Sequence, residues 1–160
     1  MKSNLLILGA GQYGALVCEV AESLECFDKI DFLDDQTAER AVGGFGMAES
    51  LIDRYDSAIV ALGNATLRLS LTEKLKEIGY TIPTLVHNRA YVSPSATLGE
   101  GCVVEPMAVI QTNAVIGNCC LISAGAVVNH NAILCDGCHI DCNATVPASA
   151  EVPMGTKIVP

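Results

Sequence analysis

The sequence predicts two architectures in series: an α/β domain over residues 1–88 and an all-β solenoid over residues 89–160. Three observations carry this. From Val92 onward a branched aliphatic residue stands at every sixth position, through Leu98, Val104, Ile110, Ile116, Ile122, Val128, Leu134, Ile140, Val146 and Val152 to Ile158. Four residues after each of them, as far as Val152, sits a small residue, from Ala96 and Cys102 to Ala150 and Thr156. Before Ala90 this pattern is absent, and short apolar runs alternate with stretches of helical periodicity.

A strict period of six cannot stay on one face of an α-helix, whose 3.6 residues per turn smear it around the cylinder, whereas short strands joined at corners keep it. Three hexads close one coil of a triangular prism, so residues eighteen apart stack at the strand spacing of about 4.8 Å. The aliphatic residue fills the prism and the small one fits its narrow corner. The fourth hexad position is rich in Gly and Asn (Gly101, Asn113, Gly125, Asn131, Gly137, Asn143, Gly155). These residues tolerate a left-handed backbone, and they mark the corners.

In the first domain, Leu5 to Leu8 predicts a buried strand that runs into Gly9-Ala10-Gly11-Gln12-Tyr13-Gly14. Ala15 to Leu24 predicts a helix with Leu16, Val17, Val20, Ala21 and Leu24 on one face. A strand at Ile30–Leu33 ends in Asp34-Asp35, and a loop with Gly43, Gly44 and Gly46 leads to a short helix near Met47–Arg54. Ala58–Leu62 predicts a strand closed by Gly63-Asn64, Ala65–Ile78 a helix stopped by Gly79, and Thr81–Val86 a last strand. Such alternation makes a parallel sheet whose ligands bind at the carboxyl ends of the strands. The Gly-rich turn, Asp34-Asp35 and Gly63-Asn64 each follow a strand, so they should share one edge. Alone, the glycines could simply make a turn, or form half of a nicotinamide site. A domain of roughly ninety residues lacks the paired halves that grip a dinucleotide.

The chain of 160 residues is 51% hydrophobic, with four Tyr, three Phe and no Trp, which suits a narrow prism filled by aliphatic side chains. A net charge of −9 argues against nucleic acid as a partner. Between Arg89 and Lys157 there is no Lys or Arg, so a polyanionic ligand there would need backbone amides, flanking cations or a neighbouring subunit. Met1-Lys2-Ser3-Asn4 leads straight into a strand with no signal peptide, and no apolar run approaches membrane-spanning length. The expected location is the cytoplasm. Its eight cysteines are then free thiols, and Cys102, Cys120 and Cys138, eighteen apart, should form a buried column in place of Ala.

The hexads resemble the left-handed parallel β-helix of hexapeptide acyltransferases. Taken with Gly9 to Gly14, Asp34-Asp35, Gly63-Asn64 and Val128-Asn129-His130-Asn131-Ala132, nearly the whole chain resembles the bacterial family of sialic-acid O-acetyltransferases and bacillosamine N-acetyltransferases. The resemblance implies a Rossmann-like first domain that binds a nucleotide-sugar or sialic-acid-type acceptor through Gly11, Gln12, Tyr13, Asp34, Asp35, Gly63 and Asn64. It also implies acetyl-CoA as cosubstrate, a homotrimer, and His130 as general base, a role that suits an imidazole titrating near neutrality. His139 would meet acetyl-CoA across a subunit boundary. Two residues depart from the family: Tyr13 where His is common, and Asn131 where a carboxylate usually follows the catalytic histidine. Asn131 and the lack of basic residues point to an alternative, a sugar-nucleotide-binding protein without transfer activity, and a chain ending soon after Lys157 agrees with it. A γ-type carbonic anhydrase would share the solenoid, but it needs a closer histidine pair than His130 and His139.

Overall fold

The computed structural model describes residues 3–36 and 39–160. Met1 and Lys2, on which the expectation of no signal peptide partly rests, lie outside them, as do Thr37 and Ala38. The chain forms two compact units, 1–83 and 84–160.

In the first unit, β1 (Ser3–Leu8), β2 (Phe27–Leu33), β3 (Ala41–Gly43) and β4 (Ser57–Val60) form a parallel sheet of order β3-β2-β1-β4. Successive side chains of β1 point to opposite faces, and Leu5, Leu6, Ile7 and Leu8 are all buried, so both faces of the sheet are covered. One core joins Leu6, Leu8 and Leu33 to Leu51, Leu71 and Leu75. Helix α1 (Gln12–Ser23) begins earlier than its apolar stripe, because Gly11 takes an extended N-cap conformation and its carbonyl accepts the Ala15 N–H at 3.0 Å. Gln12, Tyr13 and Gly14 therefore lie in the first helical turn rather than in a loop. A 3₁₀ turn at Phe45–Met47 leads into α2 (Ala48–Leu51), which is shorter than the periodicity predicts. Helix α3 (Ala65–Ile78) matches its expected span. Asn64 caps it by accepting the Leu67 N–H, and Gly79 ends it with a φ of 114°.

The expected last strand, Thr81–Val86, does not exist as one element. Thr81 makes a single bridge to Ser57, Pro83 interrupts the run, and Leu85–Val86 pairs with Val103–Val104. The structural division therefore falls after Pro83, ahead of the boundary at residue 88 read from the sequence. Val86 and Ala90 pack against the solenoid core, one hexad earlier than the pattern starting at Val92.

From Leu85 to Ile158 the chain forms a left-handed β-helix of two-residue strands, arranged as three parallel sheets. Each strand pairs with the one eighteen residues on; Leu121–Ile122, for example, lies between Val103–Val104 and His139–Ile140. The second residue of each strand points into the prism, and Val104, Ile110, Ile122, Val128 and Ile140 have no exposed surface. Cys102, Cys120 and Cys138 are free and buried among them. Every corner from Gly101 to Gly155 has positive φ, including Met107, Cys119 and Ser149, so the repeat imposes this conformation even on residues that resist it.

Candidate active site

The sheet edge of the first unit brings its three loops together. Asp34, just past β2, accepts the Ala10 N–H on Oδ2 and the Gln36 N–H on Oδ1, both at 2.7 Å. It thus ties the Gly-rich turn to the β2 loop through two charge-assisted hydrogen bonds. Gly9 has a φ of 119°, and a Cβ on it would press on the Ala61 carbonyl. A Cβ on Gly14 would overlap the Gly9 carbonyl oxygen. These two glycines are fixed by packing. Gly11 is different: nothing lies within 4 Å of where its Cβ would be, and it is exposed beside exposed Gln12 and half-buried Tyr13.

A depression of about 410 Å³ borders this turn, lined by Ala10, Gly11, Gln12, Ala15 and Arg40. A second cavity of about 500 Å³ lies among Asp34, Asp35, Gln36, Leu62, Phe45 and the Leu67–Leu71–Lys74 stripe of α3. Asp35 accepts the Phe45 N–H at 2.8 Å and so holds one wall of it. An apolar recess of about 240 Å³ shares Phe45, Leu71 and Lys74 with that cavity. Gly63 and Asn64 are exposed at the start of α3, the Asn64 side chain being used as the cap. Beneath them Arg68 is fully buried and donates to the carbonyls of Leu62 at 2.8 Å and Gly63 at 3.2 Å.

Sequence reasoning missed Arg68, Arg40, Phe45 and Lys74. Arg68 carried a signal: it falls on the same helical stripe as Leu71, Thr72 and Leu75, where a cation would be buried only if it held something. Arg40 lies on an irregular segment and Phe45 opens a single 3₁₀ turn, so no period marks either.

In the solenoid, His130 follows the strand Val127–Val128, exposed at a corner. Its Nδ1 is 3.1 Å from Asn131 Oδ1, and Asn131 has a φ of 60°. An amide oxygen only accepts, so this contact puts the imidazole proton on Nδ1 and leaves Nε2 as the basic nitrogen. His139 lies on another sheet, with Nε2 3.0 Å from Ser123 Oγ and 4.0 Å from Asp141 Oδ1. His87 accepts the Arg89 N–H on Nδ1 at 3.0 Å. Among the described residues no group of three or more His, Cys, Asp and Glu could hold a metal ion, and no helix is long and apolar enough to cross a membrane.

Comparison with known proteins extends this picture. The PglD N-terminal domain family matches residues 4–75. The acetyltransferase domain of PglB from Neisseria gonorrhoeae FA1090 is 30% identical, with a TM-score of 0.84 over 98% of this chain and 85% of that one. The same domain in complex with acetyl coenzyme A is matched at 29% identity and the same TM-score and coverage. A mutant of perosamine N-acetyltransferase from Caulobacter crescentus, in complex with CoA and GDP-perosamine, is 25% identical, with a TM-score of 0.91 over 96% of this chain and 76% of that one. With the solenoid, the Gly-rich sheet edge and the His130–Asn131 pair in place, the chain belongs to the sialic-acid O-acetyltransferase and bacillosamine N-acetyltransferase family of hexapeptide-repeat acyltransferases.

Proposed function

We propose that the protein transfers acetyl from acetyl-CoA to the amino group of a nucleotide-activated sugar, with His130 as general base. The observation that carries this reading is the His130–Asn131 contact, which leaves Nε2 of an exposed imidazole able to take a proton. As the amine attacks the thioester carbonyl, a C–N bond forms and the C–S bond breaks. The amine proton passes to His130 Nε2 and then to the departing thiolate. Asn131 takes the orienting place of the family's usual carboxylate without its charge, so the base should be weaker than one with a carboxylate partner.

The acceptor's nucleotide lies, in this reading, along the edge formed by Gly11, Gln12, Tyr13, Asp34, Asp35, Gly63 and Asn64. Arg40, beside Gly11 and Gln12, offers a cation for its phosphates, and Asp34 acts chiefly by tying the loops. The relatives support the assignment through their ligands: acetyl coenzyme A in one, CoA and GDP-perosamine in another. The active form is a homotrimer in which the partner subunit's His139 meets acetyl-CoA near His130; the lack of Lys and Arg between Arg89 and Lys157 makes such sharing useful.

Isothermal titration with acetyl-CoA, and separately with UDP- and GDP-linked amino sugars and free sialic acid, tests this together with sedimentation. Binding of acetyl-CoA and a nucleotide-sugar by a trimer supports the reading. Sugar binding without coenzyme binding leaves a sugar-nucleotide-binding protein, sialic acid alone moves the chemistry to O-acetylation, and a stable monomer removes the shared site.

A further inference from the structure

Arg68 is a buried cation to which the proposed chemistry gives no work. It closes the first turn of α3 and has no exposed surface, and its Nη1 donates to the Leu62 carbonyl at 2.8 Å and the Gly63 carbonyl at 3.2 Å. Those two carbonyls belong to the short link between β4 and α3. The sheet holds the link as far as Ala61, whose N–H donates to the Leu8 carbonyl at 2.8 Å. The helix holds it from Asn64, whose Oδ1 accepts the Leu67 N–H and whose carbonyl accepts the Arg68 N–H, both at 2.9 Å. Across Leu62 and Gly63 the carbonyls are held by the Arg68 side chain.

The direction of a carbonyl fixes that of the N–H after it. The peptide groups are trans and planar, so the N–H of each residue points opposite to the preceding carbonyl. With the Leu62 and Gly63 carbonyls turned inward to a buried guanidinium, the Gly63 and Asn64 N–H groups face the other way, where both residues are exposed. Neither N–H has a partner among the described residues, and nothing lies within 4 Å of where a Gly63 Cβ would be. Packing around a Cβ therefore does not set this peptide's orientation, as it does at Gly9 and Gly14. A guanidinium among apolar side chains is costly unless its donors are used, so the cation and the two carbonyls hold one another in place.

We infer that Arg68 is a positioning residue for the acceptor: it turns two carbonyls inward so that the Gly63 and Asn64 N–H groups stand ready to donate to oxygen atoms of the nucleotide. Arg68 itself has no exposed surface and does not touch the ligand. The role in acceptor binding rests on the proposed acetyltransferase reading; the ordering of the link does not.

Amide nitrogen relaxation and titration calorimetry on the full chain test this, with UDP and GDP as probes. In the wild type the Gly63 and Asn64 amides should be as ordered as those within α3, with order parameters of about 0.85, and their proton resonances should move downfield when nucleotide is added. Arg68→Met keeps the bulk and loses the donors; these order parameters should fall below about 0.6 and nucleotide affinity about tenfold, with acetyl-CoA affinity unchanged. Since one nitrogen makes both bonds, the ammonium of Arg68→Lys should restore both properties. Tyr80→Phe is the control: it removes another buried donor of the same unit, whose hydroxyl bonds the Ala48 carbonyl at 2.7 Å, and should leave the link and nucleotide affinity unchanged. Mobile Gly63 and Asn64 amides in the wild type overturn the inference, as do amide protons that stay unshifted with nucleotide bound. An Arg68→Met protein with wild-type order and affinity overturns it too, as does a Tyr80→Phe protein that loses as much affinity as Arg68→Met. Should Arg68→Met fail to fold, the wild-type order and the nucleotide-induced shifts still decide. If the wild type binds neither nucleotide, the acceptor reading falls, and the order parameters still decide what Arg68 does.

Discussion

Replacing Asn131 by Asp tests the proposed base in a way that its removal cannot. The position has a φ of 60°, a conformation that Asn and Asp enter with little strain and that costs most other residues about 1–2 kcal/mol. Asn131→Asp therefore keeps the corner and changes only the acceptor facing His130 Nδ1, from a neutral amide oxygen to a carboxylate. A hydrogen bond to a neutral acceptor contributes about 1 kcal/mol and one to a charged acceptor about 2 kcal/mol. If the difference of about 1 kcal/mol is realised as the ring becomes imidazolium, kcat rises about fivefold. Asn131→Glu carries the same charge on a longer arm and pays the backbone strain, so it should gain less and melt lower. His130→Ala should lower kcat by about 10²–10⁴ with fold and acceptor binding intact, because the side chain is exposed. Coupled-assay kinetics on the wild type and the three purified variants, with melting curves as the control, read these effects. Full activity in His130→Ala refutes the base. A lower kcat in a folded Asn131→Asp refutes the assigned orienting role of residue 131.

Three further predictions concern the fold and its protonation. Ile122→Asp should unfold the solenoid, since Ile122 has no exposed surface and lies in register between Val104 and Ile140; an unpaired carboxylate there costs several kcal/mol, about what holds such a domain together. Asn129→Asp should be milder, though not silent: its Nδ2 donates to the Val146 carbonyl at 3.2 Å, and a carboxylate against that oxygen should cost about 1–3 kcal/mol; equal melting temperatures for the two variants would show the register to be wrong. Gly14→Ala should prevent the helix α1 turn from closing on Gly9, while Gly11→Ala should fold like the wild type and lose only acceptor affinity, a contrast that circular dichroism and titration separate. Burial pushes the Glu105 carboxyl above its ordinary range, against the Ala124 N–H and the Ser123 hydroxyl, which pull it down. Between the ordinary and raised values the folded chain keeps a proton that the unfolded chain has lost, so this group's contribution to stability falls as pH rises through that window. Calorimetry from about pH 4 to 7 should therefore show Glu105→Gln gaining in Tm relative to wild type, and a relative loss would contradict the burial argument.

The solenoid was legible in the sequence because its geometry is local and repeated. A prism interior admits one residue class at a fixed interval, so Val92 to Ile158 spell out the coil, and Gly and Asn mark the corners. The sheet edge was half legible: strands read as ending at Leu8, Leu33 and Leu62 announced three loops on one side, since parallel strands send their loops the same way. What the loops do to one another was not. Asp34 reaches Ala10 across twenty-four residues, and Arg68 is buried beneath Leu62 and Gly63 through a helix that reads as ordinary. The run Thr81–Val86 has a strand's composition, yet it divides between two units, because Val86 gains more from the first hexad than from a sheet that Pro83 prevents it from reaching. The contact between Ser123 Oγ and His139 Nε2, at 3.0 Å, shows the limit most clearly. The two residues are sixteen apart and carry no common motif. Only the stacking of coils, which converts a distance along the chain into a strand spacing, sets them side by side.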